Sequence, residues 1–318
     1  MKVFSSVKDV SNLNEFVKEA LELKENPTAF EQLGKGKTLG MIFMNPSLRT
    51  RISTQKAGMN LGMNTMVLNV DKEGWALEME EGAIMDGKTV EHIKDVATVM
   101  SEYCDVIAIR CFASLTDKTD DYNEKVLNMF IKYSTVPVVS MEGATLHPLQ
   151  SFADIITIKE NWGKAEKPKV VLTWAPHVKA IPHAVANSFS EWMLNADVDF
   201  TIAHPKGYEL SEDFTKGATI TTNQEEALKD ADFVYAKNWS TFKDNYGEVK
   251  CTDKSWMLTN EKLEVTNNAK VMHCLPVRRN VEVSDEVLDG PNSLILNQAA
   301  NRVYSAQAVL KKILENNK

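Results

Sequence analysis

The chain has 318 residues, of which 43% are hydrophobic and 25% are charged, and its formal net charge is −8 at pH 7. This composition is typical of a globular protein with one large or two ordinary α/β domains. The acidic balance argues against a nucleic-acid partner, and no run approaches the ~18 apolar residues of a membrane span. Four cysteines show neither a CxxC pair nor zinc spacing. We therefore expect a cytoplasmic protein with reduced thiols, no metal and no membrane partner.

Strand and helix patterns alternate in the first half of the chain. Strands are predicted at 38–44, 65–70, 106–110 and 137–141, and helices at 12–24, 53–63, 90–100 and 126–133. Between them, residues 71–86 form a polar, glycine-broken segment in which Trp75 is expected to be exposed. Alternation at this pace predicts a parallel, doubly wound sheet.

A second alternating series follows the break at 147–150. A long helix begins near Gln150, and further helices are predicted at 184–194 and 225–229. Strands are predicted at 170–174, 199–203, 233–236 and 270–273. The fold class is therefore α/β, with two doubly wound parallel-sheet domains at 1–146 and 147–300 and an active site in the cleft between them. The last helix, predicted from Ser305 to Leu314 within the segment 301–318, is expected to return to the first domain.

The segment Ser47-Leu48-Arg49-Thr50-Arg51 lies where the first predicted strand turns into a helix. The first N–H groups of a helix and the positive end of its dipole make such a turn a natural anion site. Arginine adds bidentate donors that match a phosphate. This chemistry alone leaves open an ordinary helix cap with two surface arginines.

Ligands of open α/β sheets lie beyond the carboxyl ends of the strands. Several cationic and hydrogen-bonding residues follow the predicted strands at that edge. They are Arg110, Glu142, His147, His177, Lys237, Cys274, Leu275, Arg278 and Arg279. This convergence in an acidic protein indicates a site for a small anionic ligand.

Three motifs make the sequence recognisable: Ser47-x-Arg49-Thr50-Arg51, His147-Pro148-x-Gln150 and His273-Cys274-Leu275-Pro276. They resemble the three signatures of the carbamoyltransferase family, in the right order and at the right distances. Asn301-Arg302, before the last helix, resembles the family as well. The cysteine of the third motif is similar to the ornithine branch, because aspartate carbamoyltransferases carry proline there.

The resemblance implies roles for these residues in carbamoyl transfer without cofactor, metal or covalent intermediate. Arg49, Thr50, Arg110, His147 and Arg302 are the expected catalytic residues. Carbamoyl phosphate would also be held by Ser47, Leu48, Trp75, Gln150, Cys274 and Leu275. By the same resemblance Trp75 reaches in from a neighbouring subunit, which implies a homotrimer. A nucleophilic role for Cys274 is disfavoured, because no matched base accompanies it.

The acceptor side departs from ordinary ornithine carbamoyltransferases. Those enzymes hold a free α-ammonium with an Asp and a Ser-Met-Gly motif, whereas this chain has Lys237 in the equivalent region. A lysine would repel an ammonium group by roughly 1–4 kcal/mol at contact. The sequence therefore resembles the N-acylornithine branch. The expected acylornithine-binding residues are Val90, Glu142, His177, Lys179, Lys237, Cys274, Leu275 and Arg278.

Within that branch, the resemblance places the acyl group near the loop after Gly87. A glutamate there accompanies acetyl, and an apolar residue accompanies succinyl. The matching position is Val90, with Glu91 beside it. We favour N-succinyl-L-ornithine, because Val90 would not repel the extra carboxylate, while Arg278 and Lys179 offer it partners. A one-residue shift would place Glu91 there and favour N-acetyl-L-ornithine.

Three other readings remain. An ornithine carbamoyltransferase would take the unacylated amine, and a non-catalytic scaffold homologue would retain the fold without activity. The scaffold is disfavoured because the whole set of expected catalytic residues is present. A nucleotide-binding dehydrogenase shares the sheet type, but no GxGxxG motif follows a predicted strand.

Overall fold

The computed structural model describes residues 1–316, apart from the side chains of Asp71 and Lys72. The chain divides into two compact units. Unit 1 comprises Met1–Leu149 together with the segment that begins at Arg302, and unit 2 comprises Gln150–Asn301. Positions 317 and 318, at the end of the predicted 301–318 helix, lie outside the described residues.

Unit 1 contains a five-stranded parallel sheet and a separate parallel pair of short strands. Its strands are β1 (Val3–Phe4), β2 (Thr38–Phe43), β3 (Asn64–Asn69), β4 (Leu77–Glu78), β5 (Glu91–His92), β6 (Val106–Arg110) and β7 (Val138–Glu142). The order in the large sheet is β1-β7-β6-β2-β3. The carboxyl ends of β2, β6 and β7 are therefore adjacent.

The helices of unit 1 join these strands. They are α1 (Leu13–Glu25), α2 (Leu48–Asn60), α3 (Val70–Glu73), α4 (Ile93–Tyr103), α5 (Lys118–Tyr122) and α6 (Lys125–Tyr133). Four of them have side-chain caps; in two of these, Asn12 Oδ1 accepts from Glu15 N at 3.2 Å and His92 Nδ1 accepts from Lys94 N at 3.1 Å. Helices α4 and α6 bury apolar side chains against β6 and β7 in one core cluster.

Unit 2 holds a second five-stranded parallel sheet, in the order β10-β9-β8-β11-β12. Its strands are β8 (Lys169–Trp174), β9 (Asp199–Ala203), β10 (Thr219–Thr221), β11 (Phe233–Lys237) and β12 (Lys270–Met272). Large aromatic residues fill its core, and Phe189 lies 4.5 Å from Tyr235 between ring centroids. Full burial of one such side chain contributes about 1.5–3 kcal/mol.

The remaining helices begin with α7, which starts at the end of unit 1. They are α7 (Pro148–Asn161), α8 (Ala184–Leu194), α9 (Glu212–Thr215), α10 (Gln224–Leu228), α11 (Asn260–Leu263), α12 (Asp285–Leu288) and α13 (Ile295–Asn316). Among residues 1–316, no helix is long and apolar enough to cross a membrane. The predicted α/β class with two parallel sheets is confirmed.

Two helix starts were predicted wrongly. The structure begins α2 at Leu48 rather than at residue 53, because Ser47 caps it and accepts from Thr50 N at 3.3 Å. The last helix begins at Ile295, ten residues before the predicted start. Its first three turns bury polar Gln298 and Asn301, so the apolar periodicity does not mark them.

Candidate functional site

The start of α2 brings Ser47, Arg49 and Thr50 to the carboxyl end of β2. Arg49 and Thr50 lie in the first turn of the helix, not in a loop before it. N–H groups of a first turn have no acceptor within the helix, and the dipole is positive there. The helix has 13 residues, so its amino end is a suitable place for an anion.

The Thr50 side chain joins two arginines. Its Oγ1 accepts from Arg302 Nη2 at 2.6 Å and from Arg110 Nη1 at 3.3 Å. Arg302 lies in α13, and Arg110 is the last residue of β6. Both guanidiniums and the hydroxyl are buried. A residue from the end of the chain therefore completes a group that begins at residue 47.

Glu142 balances part of this positive charge. Its Oε2 pairs with Arg110 Nη1 and lies 3.1 Å from His147 Nε2. The Arg110 guanidinium also lies over the Phe112 ring, 4.2 Å from its centroid. We call Thr50, Arg110, Glu142, His147 and Arg302 the cationic cluster. Two guanidiniums minus one carboxylate leave a formal charge of +1, to which Arg49 in the same turn adds another.

Burial of this cluster is costly. Taking charges out of water costs several kcal/mol per ion, so a buried ion pair is weak evidence for stability. Buried charge gathered at strand ends is instead typical of a functional site. An excess of positive charge in a protein of net charge −8 indicates a small anionic ligand.

Trp75 and Val90 flank the β4–β5 pair. Both side chains are exposed, at 54% and 62%, as predicted for Trp75. The Trp75 indole donates from Nε1 to Glu91 Oε2 at 2.9 Å, and Val90 N donates to Ala76 O at 2.9 Å. Within residues 1–316, no hydrogen bond or ion pair joins Trp75 to the cationic cluster.

In unit 2, Gln150 and His273 are connected through two buried side chains. Gln150 Nε2 and Gln298 Nε2 both donate to Asp154 Oδ1, at 2.8 and 2.7 Å. Gln298 Oε1 then accepts from the backbone N–H of His273 at 2.9 Å. The chain of bonds ties α7 and α13 to the end of β12. Gln298 was not predicted, since its only signal in the sequence is its place four residues before Arg302.

The third motif turns sharply after β12. His273 Nδ1 accepts from Leu275 N at 3.0 Å, and Leu275 itself has a φ of +55°. Such a backbone is uncommon for a residue with a side chain and is found at ligand sites. Cys274 between them is buried. The arrangement holds the backbone around Cys274 and Leu275 in one orientation.

A buried carboxylate supports the same turn. Glu282 Oε2 accepts from Arg278 N at 2.8 Å, and its Oε1 lies 3.5 Å from His273 Nε2. Burial by itself would raise the pKa of Glu282, but the His273 hydrogen bond and the charges of His273 and Lys237 lower it to about 2. Glu282 therefore stays ionised at neutral pH, and Lys237, whose charge favours this, is buried at the end of β11. Sequence reasoning missed Glu282.

Three further predicted residues meet at the surface of unit 2. Arg278 Nε donates to His177 Nε2 at 3.0 Å. The other ring nitrogen of His177, Nδ1, contacts the backbone of Lys179. Strands β8, β11 and β12 are neighbours in the sheet, so residues that follow them are brought to one edge. Among the described residues, no group of His, Cys, Asp and Glu could hold a metal ion.

Comparison with known proteins agrees with this arrangement. Residues 2–160 match the aspartate/ornithine carbamoyltransferase carbamoyl-P binding domain, and residues 182–313 match the Asp/Orn binding domain of the same family. The chain belongs to the aspartate/ornithine carbamoyltransferase family and is a carbamoyltransferase. The family predicted from the three motifs is thereby confirmed.

Two of its relatives are named as N-acylornithine carbamoyltransferases. The chain is 51% identical to the N-succinylornithine carbamoyltransferase of Bacteroides thetaiotaomicron, over 99% of each chain. It is 35% identical to the N-acetylornithine carbamoyltransferase of Xylella fastidiosa, over 98% of each. An acetylornithine transcarbamylase solved in complex with acetylcitrulline aligns with a TM-score of 0.93 and 33% identity, covering 98% of this chain and 99% of that one.

Proposed function

We propose that this carbamoyltransferase moves the carbamoyl group of carbamoyl phosphate to the δ-amine of N-succinyl-L-ornithine, in arginine biosynthesis in the cytoplasm. The products would be N-succinyl-L-citrulline and phosphate. The observation that carries this proposal is the 51% identity, over the full chain, to an N-succinylornithine carbamoyltransferase, against 35% to an N-acetylornithine one. The acceptor is therefore an acylated ornithine, with succinyl favoured over acetyl.

Carbamoyl phosphate is assigned to the start of α2. The N–H groups of Leu48 and Arg49 and the Ser47 hydroxyl would bind the phosphate oxygens, with the Arg49 guanidinium on the same group. Gln150 and the backbone carbonyls of Cys274 and Leu275 would accept from the carbamoyl NH₂. The bonds that fix Gln150 through Asp154 support this role, because an oriented amide loses less entropy when the substrate binds.

The cationic cluster would act on the carbonyl carbon. Thr50, Arg110, His147 and Arg302 would donate to the carbonyl oxygen as negative charge develops there during attack. The attacking δ-amine has an ordinary pKa of about 10.4. It must lose a proton first, and desolvation in the site would favour the neutral amine. The departing phosphate would take the second proton.

Acylornithine is assigned to residues that surround Glu282 and Arg278. Lys237, His177, Lys179 and Arg278 would bind its carboxylates, and Cys274 and Leu275 would face the side chain. Glu142 would orient Arg110 and His147 and also face the acceptor. The buried Lys237 is compatible with an amide nitrogen but not with an ammonium group.

Val90 is assigned to the acyl end. The Glu91 carboxylate already accepts from Trp75, whereas the Val90 side chain is exposed and apolar. One solved relative is a variant of N-acetyl-L-ornithine transcarbamylase with a glutamate replaced by alanine, in complex with carbamyl phosphate and N-succinyl-L-norvaline. Serine and proline variants of the same glutamate are also described with this ligand, so loss of the glutamate carboxylate accompanies a succinylated ligand in that protein. Val90 likewise carries no carboxylate, which supports its assignment to succinyl.

We further propose a homotrimer in which Trp75 completes the site of a neighbouring subunit. Exposed apolar side chains on α2 and β3 support an interface on unit 1: Leu48, Ile52, Met59 and Met66. Mixing dissociated Trp75→Ala and Arg49→Ala proteins tests this. Random reassociation would pair an intact Arg49 with an intact Trp75 at about a quarter of the sites. We expect activity to return on mixing, and no recovery after proven subunit exchange would refute the shared site.

Steady-state assays with three acceptors test the substrate. Carbamoyl phosphate is held at saturation while N-succinyl-L-ornithine, N-acetyl-L-ornithine and L-ornithine are varied. We expect the highest kcat/KM with the succinylated acceptor and none measurable with L-ornithine. A higher value for N-acetyl-L-ornithine would assign the acetyl substrate instead, and activity on L-ornithine alone would refute the role of Lys237.

A further inference from the structure

Glu124 is the N-cap residue of α6 and has an unusual backbone conformation. Its φ and ψ are +49° and +42°, in the left-handed region that residues with side chains rarely adopt. Its N–H donates to Asp121 O, and its carbonyl oxygen accepts from Asn128 N. The chain therefore turns sharply between α5 and α6, and the Glu124 side chain leaves α6 toward another part of unit 1.

The Glu124 carboxylate binds a turn some twenty residues further along the chain. Its Oε2 accepts from Ala144 N at 2.9 Å, and its Oε1 accepts from Thr145 N at 2.7 Å and Thr145 Oγ1 at 2.5 Å. The turn itself is closed by Gly143 N, which donates to Leu146 O at 2.8 Å. The carboxylate thus holds Ala144 and Thr145 through three donors, and the bond between Gly143 and Leu146 closes the turn around them.

Gly143 makes this contact possible. A Cβ on Gly143 would lie 2.5 Å from Glu124 Oε2 and 2.7 Å from Oε1, closer than real Cβ atoms come to oxygen. Only a glycine lets the carboxylate approach the backbone of the turn this closely. The glycine and the glutamate therefore form one structural feature, although they are distant in sequence.

The turn connects two members of the cationic cluster. Glu142 immediately precedes it and His147 immediately follows it. The two side chains meet, with 3.1 Å between His147 Nε2 and Glu142 Oε2. Any change in the 143–146 turn would move these two groups relative to each other.

We propose that Glu124 is a positioning residue for carbamoyl transfer, which holds the 143–146 turn so that His147 and Glu142 keep their mutual geometry. The inference rests on the proposed function for the role of His147 at the carbonyl oxygen. Glu124 itself touches neither substrate.

The surroundings of Glu124 agree with a permanent structural contact. Burial raises the pKa of Glu124, and the hydrogen bonds from Thr145 and Ala144 oppose that rise. The nearby Lys125 forms ion pairs with Glu80 and Asp120. Backbone and hydroxyl dipoles thus hold the carboxylate, and such donors lose their acceptor if one oxygen is replaced by NH₂.

Glu124→Gln tests the proposal. The amide NH₂ would face a backbone N–H of the turn, and the turn would shift. We expect kcat to fall about tenfold to a hundredfold, as for a displacement of about 1 Å, with little change in the KM for carbamoyl phosphate. The imidazole NMR signals of His147, identified by their loss in His147→Asn, should shift as well.

Asp121→Asn is the matched control. Asp121 also holds two backbone N–H groups, those of Ser114 and Leu115 at 2.7 and 2.9 Å, but their loop lies outside the cationic cluster. We expect it to lower the unfolding temperature without a comparable loss of kcat or a shift of the His147 signals. Thr145→Val removes one donor only, and should act in the same direction as Glu124→Gln if that variant fails to fold.

The double variant Glu124→Gln/His147→Asn distinguishes an effect that acts through His147 from a general destabilisation of the fold. If Glu124 acts through His147, Glu124→Gln should slow the His147→Asn enzyme much less than it slows the wild type. Equal slowing in both backgrounds, or unshifted His147 signals, would overturn the inference. Full turnover by His147→Asn would instead refute the proposed role of His147, and the NMR comparison would still decide whether Glu124 positions it.

Discussion

In unit 1 the cationic cluster is buried and joined by charge, whereas in unit 2 several residues proposed for the acceptor lie at the surface. Arg110 and Arg302 both donate to the Thr50 hydroxyl, and Arg110 also pairs with the Glu142 carboxylate. His177 and Arg278 share a single exposed hydrogen bond. The first arrangement is held by buried hydrogen bonds and an ion pair, which suits a ligand that does not differ among relatives. The second leaves side chains that can be exchanged without disturbing the core, which suits the part of the substrate that differs among relatives.

The largest expected effect is the difference in kcat between alanine variants of two arginines in α2. Arg49→Ala should lower kcat by about a thousandfold, since it removes a charged partner of the departing phosphate. Arg51→Ala is the matched control, because Arg51 is exposed in the same helix, and it should retain most activity. Steady-state kinetics and circular dichroism of both variants provide the measurement. Wild-type turnover in Arg49→Ala would remove unit 1 from the proposed chemistry.

A similar pair exists in unit 2. Arg278→Ala should raise the KM for N-succinyl-L-ornithine about tenfold. The effect is limited because an exposed arginine contributes less to the binding of a carboxylate than a buried arginine does. Its kcat and the KM for carbamoyl phosphate should change little. Arg279 is held by Asp285 and Asp289 instead, so Arg279→Ala should leave both KM values near wild type. Equal effects from the two substitutions would contradict the assignment of Arg278.

Val90→Glu tests whether the acyl preference can be changed while the cationic cluster is left intact. A carboxylate at this position should repel the succinyl carboxylate and lower the ratio of kcat/KM for succinyl to that for acetyl about tenfold. Val99→Glu adds the same charge at another exposed valine of unit 1 and should not alter the ratio. The assay compares both acceptors in parallel, and an unchanged ratio in Val90→Glu would place the acyl group elsewhere.

The smallest effect concerns stability and pH. The pKa of Glu282 is lowered to about 2, below the value of about 4.3 expected in an unfolded chain. Its contribution to the free energy of unfolding is therefore present above about pH 4.3 and lost as pH falls through about 2. Denaturant unfolding should show wild type more stable than Glu282→Gln at pH 7, with the difference shrinking in acid. Glu286→Gln, at an exposed position, should show no such dependence.

The sequence predicted much of the fold because apolar periodicity marks buried elements. Strand β6 and helix α8 were predicted at their observed bounds, 106–110 and 184–194. The start of α13 was missed because Gln298 and Asn301 are buried by hydrogen bonds rather than by apolar packing. Strands β1 and β10 are two and three residues long, too short to show a period.

For the site, the motifs and strand ends predicted which residues lie together, but not the hydrogen bonds and ion pairs between them. The sharing of Thr50 by Arg110 and Arg302 spans some 250 residues and has no local signal. Glu124 was missed for the same reason, since its partners lie at 143–146. Gly143 directly after a strand was the visible sign that another group approaches the backbone there. Long-range partners of this kind require coordinates.

Calorimetric titration of carbamoyl phosphate into the purified protein, without acceptor, tests the central claim most directly. We expect saturable binding at one site per chain, which is lost in Arg49→Ala and retained in Arg51→Ala. Absence of binding by the wild-type protein, or equal binding by both variants, would contradict the assignment of the α2 start and the cationic cluster to this ligand.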